Sequence, residues 1–238
     1  MTNSFPARDH FISLSVLSQE IIKVKKIFWL CGIVVFIACN KDKITGSGNT
    51  ISEERNITGF NGLIVNGSTK AFVNIDTEFA VTVKGYENLL PYFETNVVSG
   101  VLEAGFNNDV TVSNDNTEIY ATAPMLDLLE TNGTGDIDVT GEMTGSDDLK
   151  ATVNGLASIN IEGGNANNFE GEITGDGNIS ALAFQCKDAT VNISGDGDVE
   201  ISVSDNLDVT ITGNGNVHYH GTPAITTHIT GYGQVIPK

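Results

Sequence analysis

The chain has 238 residues, with 12 Lys and Arg set against 30 Asp and Glu, a formal net charge of −18. A surface of that sign repels phosphate backbones and anionic lipid headgroups, which excludes nucleic acid as a partner. Its three cysteines, Cys31, Cys39 and Cys186, are too few and too scattered to build a disulfide framework.

Read from the start, Lys23, Lys25 and Lys26 precede an apolar run from Ile27 to Cys39. That run is too short to span a bilayer and has the length of the apolar region of a secretory signal. It closes on Phe36-Ile37-Ala38-Cys39, which resembles a bacterial lipobox, with Phe36 where Leu is usual. The resemblance implies that residues 1–38 form a lipoprotein signal segment and that Cys39 is lipidated, becoming the membrane anchor. Met1 to Ile22 carries Asp9 and Glu20 and does not read as a basic n-region, so translation is expected to begin at Val24.

Residues 39–50 read as a lipid-anchored flexible linker, with Gly, Ser and Asn prominent from Thr45 to Thr50. Within it, Asn40-Lys41-Asp42-Lys43 is either a solvated spacer or a lysine-acidic tether of the kind that sends lipoproteins to the cell surface. Four of the basic and two of the acidic residues lie before Cys39, leaving 8 against 28 from there on.

From Ile51 to Lys238 the pattern is that of one elongated domain. Ile57-Thr58-Gly59-Phe60-Asn61-Gly62-Leu63-Ile64-Val65 stands near its start, and a second stretch runs from Ile119 into Pro124-Met125-Leu126. A glycine signature then returns: Gly133-Thr134-Gly135, Gly155-Leu156-Ala157, Gly175-Asp176-Gly177, Gly195-Asp196-Gly197, Gly213-Asn214-Gly215 and Gly231-Tyr232-Gly233. The starts advance by 22, 20, 20, 18 and 18 residues, and self-similarity of this period marks a solenoid.

Between the glycines apolar and polar residues alternate with period 2, the strand period. Val199, Ile201, Val203, Leu207, Val209 and Ile211 form an inward set, in phase with Ala189, Val191 and Ile193 before it and with Ile225, Thr227 and Ile229 after it. Such strands bury their apolar faces only if each coil lies on the one before, so the expected fold is all-β, a right-handed parallel β-helix with coils of about 18–22 residues. An antiparallel β-sandwich is the runner-up. Each corner must turn sharply twice, which calls for glycine at positive φ. The residues just after, Asp136, Ser158, Asn178, Asp198, Asn216 and Gln234, can bond to one another along a stack.

Ile57 to Val65, Ile119 to Leu126 with its Pro-x-Leu ending, Tyr219-His220-Gly221-Thr222-Pro223 and the glycine copies in phase resemble the entry strand, central strand, closing coils and corners of the auto-transporter adhesin, head GIN domain family, common in envelope proteins of Bacteroidetes-type bacteria. The resemblance covers roughly Ile51 to Lys238; its departure is Ala157, which stands where the second glycine of a corner belongs. It implies an envelope-anchored β-helix with an adhesive role and no established reaction.

Candidate chemistry is sparse. Beyond Ile51 the basic residues are Arg55, Lys70, Lys84, Lys150, Lys187 and Lys238, without the cluster a uronate lyase needs. Asp176, Asp196 and Asp198 could stack within the separation of a hydrolase pair, but turn formation already accounts for them. No cofactor is expected; calcium at the Gly-Asp-Gly-Asp corners is the alternative, although the period is twice that of a calcium-binding nonapeptide β-roll. His218 and His220 share a strand face at a spacing able to hold zinc, and with His228 they read instead as exposed side chains of the last coils.

The expected function is that of a lipid-anchored binding or adhesion module of the outer membrane, on its cell-surface or periplasmic side. It would present a β-helix surface to glycan or protein ligands without catalysis, and uncapped coil edges leave self-association into a homo-oligomer open. The alternatives are a periplasmic structural or signalling component and a carbohydrate-active enzyme using the corner aspartates.

Overall fold

The computed structural model describes residues 41–238, so the lipobox and Cys39 lie outside the described residues. The N-terminal part contains β1 (Asp42–Thr45), β2 (Thr50–Arg55), β3 (Gly62–Gly67), β4 (Lys70–Ile75), β5 (Ala80–Tyr86), a 3-10 turn at Leu90–Tyr92, β6 (Phe93–Val98), β7 (Val101–Phe106), β8 (Val110–Ser113) and β9 (Glu118–Ala123). The repeat part continues with β10 (Leu128–Gly133), β11 (Ile137–Met143), β12 (Asp148–Gly155), β13 (Ser158–Gly175), β14 (Asn178–Gly195), β15 (Val199–Gly213), β16 (Asn216–His220), β17 (Ala224–Gly231) and β18 (Gln234–Pro237).

The repeat part is a parallel β-solenoid. β12 pairs in parallel with β13, β13 with β14, β14 with β15, and β15 with both β16 and β17. This rules out the sandwich. The register stacks equivalent residues into columns: Leu149, Phe169, Ala189 and Leu207 in one, Val153, Ile173, Ile193 and Ile211 in another. All eight are buried, so the period-2 pattern becomes a continuous apolar core as each coil covers the last. At the final coil the columns end on Ile225 and Ile229, which are 42% and 40% exposed.

The glycine columns show why two glycines mark each corner. The first of each pair has positive φ, from 122° at Gly175 to 143° at Gly133. The second does not, which corrects the expectation that both bends need that conformation. Its constraint is proximity, because a Cβ on Gly197 would overlap the carbonyl oxygen of Gly177 directly beneath. Ala157 fills the second position of its own coil fully buried. A seventh member of the column, Gly67, stacks under Gly133. It escaped the sequence pattern because Thr69 replaces the second glycine and 66 residues separate the two copies.

Between the two copies the parallel stacking continues, β3 on β10 and β7 and β4 on β11 and β9, until antiparallel strands end it. β2 pairs antiparallel with β5, β5 with β9, and β6 with β7, closing the N-terminal ends of both solenoid faces. Within the stretch expected as a flexible linker, 39–50, the described residues from 41 on are instead tied to the domain, since β1 pairs with β8 and the Ser47 N–H donates to Asn88 Oδ1 at 2.8 Å. With few apolar side chains, this stretch is held by backbone pairing that no hydropathy pattern announces.

On the β5–β9 pair, Tyr120 Oη donates to Glu118 Oε2 at 2.7 Å and Lys84 Nζ lies 3.0 Å from the same oxygen. The Tyr120 hydroxyl first, and Lys84 with it, hold the Glu118 carboxyl below its ordinary range. A lowered folded-state pKa adds stability above the unfolded value of about 4.3 and loses it as pH falls through the folded value. Glu118→Gln is therefore expected to cost less than about 1 kcal/mol at neutral pH, the pair being solvent-accessible. In thermal melts the gap to the parent should close on acidification.

Candidate functional site

The carboxylates of Asp136, Asp196 and Asp198 are committed to the scaffold. Asp196 Oδ1 accepts from Asn214 Nδ2 at 2.7 Å, and Asp198 Oδ1 accepts from the Asn216 backbone N–H at 2.7 Å and its Nδ2 at 3.0 Å. Asp136 Oδ1 accepts the Ser158 N–H at 3.0 Å in the same way. Asp176 donates its N–H to the Gly155 carbonyl. These groups form a ladder along one edge, and each bond ties one coil to the next. A second ladder alternates acid and amide at the opposite bend: Asn168 donates to Asp148 and Asn206 to Asp188, both at 2.6 Å.

Among the described residues no group of three or more His, Cys, Asp or Glu is placed to hold a metal ion. His218 pairs in register with Glu200 and His220 with Ser202. His228 lies on the exposed face of β17.

A concavity lies beside the second ladder. It is an open groove of about 810 Å³, and three consecutive residues from each of five coils line it: 145–147, 165–167, 185–187, 202–204 and 220–222. Four steps of about 4.8 Å make it roughly 19 Å long, running across the strands. Its floor is Ala166, Cys186 and Val203, stacked in register and buried. One rail is the row Asn165, Gln185, Ser202 and His220. On the other rail Asn167 donates to Asp147 Oδ1 at 2.8 Å and Lys187 donates to Asn167 Oδ1 at 2.7 Å.

Asp147 and Lys187 are the only acid and base of the lining, in a chain of net charge −18. The remaining polar side chains are amides, hydroxyls and the His220 imidazole. Sequence reading missed this groove, because its residues carry no glycine phase and differ in type from coil to coil. Their common signal is position: three of the triplets end directly before Asp148, Asn168 and Asp188, and the next ends two residues before Asn206.

Cys186 contributes a floor methylene, not a reactive group. Burial first, and then Asp188, push its thiol up to about 12. At neutral pH it stays a thiol and is a poor nucleophile. Iodoacetamide should leave the Cys186 peptide unmodified in the folded protein and label it on denaturation, as peptide mass spectrometry would read. Labelling of the native chain at the rate of a free thiol would contradict the packing described.

The fold and this lining define a β-solenoid scaffold with an elongated, nearly neutral polar groove. The family model described as "Putative auto-transporter adhesin, head GIN domain" matches residues 59–223, more than half of the chain, and the protein belongs to that family. Three solved structures share the fold. One, described as a "putative adhesin" from Bacteroides fragilis NCTC 9343, is 19% identical, covers 82% of this chain and 100% of its own, and has a TM-score of 0.67. A "putative adhesin" from Parabacteroides merdae ATCC 43184 is 22% identical over 83% of this chain and 99% of its own, with a TM-score of 0.52. A "Putative lipid binding protein" from Parabacteroides distasonis ATCC 8503 is 22% identical over 83% and 100%, with a TM-score of 0.51. No curated protein matches the chain. Family membership points to an adhesin-like protein of the cell envelope or surface. Among the described residues no helix is long and apolar enough to cross a membrane.

Proposed function

We propose that the protein is a lipid-anchored binding module of the outer membrane, attached through Cys39, which displays its β-solenoid to a glycan or protein ligand and performs no catalysis. The observation that carries this reading is the repeated groove, in which five coils present side chains at one spacing. That arrangement suits an extended ligand held by many equivalent contacts. Family membership agrees with an adhesive role. The Asp196 and Asp198 carboxylates, whose oxygens accept ladder hydrogen bonds, support a structural assignment for these two over a catalytic one.

Anchoring and orientation are tested together by protease shaving of intact cells, following residues beyond Cys39 by antibody, with a periplasmic protein as leakage control. Loss of the signal is the expected result. Full protection would favour a periplasmic component, and release of unlipidated protein unaffected by Cys39→Ser would remove the anchor from the reading.

A further inference from the structure

Resting on the reading of the protein as a binding module, the geometry points to a ligand class for the groove: we propose that it binds a neutral, extended glycan chain, gripped by the side chains of Asn165, Gln185, Ser202 and His220.

Three features select that class. The first is what the backbone cannot offer. Asn165, Gln185 and Ser202 pair in register, as do Ala166, Cys186 and Val203. Their N–H and C=O groups are spent between coils and the strands cross the groove, so a peptide could not add to it as a further strand. Recognition has to come from side chains.

The second is the chemistry of those side chains. Among the described residues, the amides of Asn165 and Gln185 hold no hydrogen bond to another protein group, whereas Ser202 Oγ donates to the Leu182 carbonyl and keeps its lone pairs for accepting. An amide offers two donors and an acceptor, which matches vicinal hydroxyls that both give and take hydrogen bonds. A protein partner would be held by aromatic or Arg anchors in deep pockets. The lining contains no Phe, Tyr, Trp or Arg, so nothing there favours a protein.

The third is charge. Lys187 is the only cation in the lining, and its ammonium is engaged with Asn167 Oδ1. A uronate or sulfated chain would bring one negative charge per unit to a domain already strongly acidic. A neutral chain meets no such barrier. The coil spacing of about 4.8 Å is close to the advance of one ring in an extended, equatorially linked hexopyranose chain, so successive rings would meet equivalent contacts.

The test uses the full chain in a non-ionic detergent without a sugar headgroup, titrated calorimetrically with cellohexaose, β-mannohexaose and xylohexaose, and with hexagalacturonate as the acidic control. Binding of at least one neutral hexamer and none of the acidic one is expected. Asn165→Ala and Gln185→Ala should each weaken it about tenfold, the loss of one or two hydrogen bonds. Tyr120→Ala, on a different face, should leave it unchanged. Equal binding of hexagalacturonate would overturn the neutral class. Binding that survives the double Asn165→Ala, Gln185→Ala variant would overturn the groove and keep the binding module. No binding by any neutral hexamer would overturn the glycan assignment, while the shaving experiment still decides the display reading independently.

Discussion

Gly195→Ala is expected to lower the stability of the domain by ~4 kcal/mol, while Gly67→Ala, at the bottom of the same column, should cost only about 1 to 2 kcal/mol. Both glycines have positive φ, 141° and 87°. They differ in what lies beneath. A Cβ on Gly195 would overlap the Gly175 carbonyl oxygen, the acceptor for the Asp196 N–H, so the added methyl breaks the stack as well as straining the backbone. A Cβ on Gly67 meets no atom within 4 Å. Denaturant titrations of the two variants separate backbone strain from coil contact. Equal losses would mean that φ alone sets the cost and that the carbonyl column contributes nothing.

That contrast explains how much the sequence reveals. A close backbone approach repeated every coil leaves only glycine or, once, Ala157, so the solenoid is legible from Gly133 onward. The inward set from Val199 to Ile211 is equally legible, since burial on one face of a strand enforces alternation. The N-terminal third hides its plan. β2, β5 and β6 pair antiparallel and close the coil ends, a job that any moderately apolar strand can do, and Gly67 alone carries no phase. The groove is less legible still. Its lining needs only side chains that fit a corner and face solvent, so Asn165, Gln185, Ser202 and His220 share a row without sharing a residue type. Conversely, Asp196 and Asp198 looked chemical because carboxylates recurred, and the ladder accounts for them.

The core holds one departure from its own pattern, and it gives a second large effect. Phe169 occupies the column of Leu149 and Ala189, and Gly171 occupies that of Ala151 and Val191. The two irregularities belong together. A Cβ on Gly171 would lie 2.9 Å from Phe169 Cε1, so the glycine leaves room for the ring, which also packs against Phe184 at 6.2 Å between centroids. Phe169→Ala should therefore cost about 3 to 5 kcal/mol, a cavity in a column that cannot collapse because its coils are hydrogen-bonded. Gly171→Val alone should cost about 1 to 3 kcal/mol by overpacking. Combined, they reproduce the next coil, where Ala189 and Val191 stand at the same two positions. The double variant should be more stable than Phe169→Ala by itself, with a coupling of about 1 to 3 kcal/mol between the sites. Additive losses in equilibrium unfolding would show that ring and glycine do not share one volume, and that each coil's core is set independently of its neighbour.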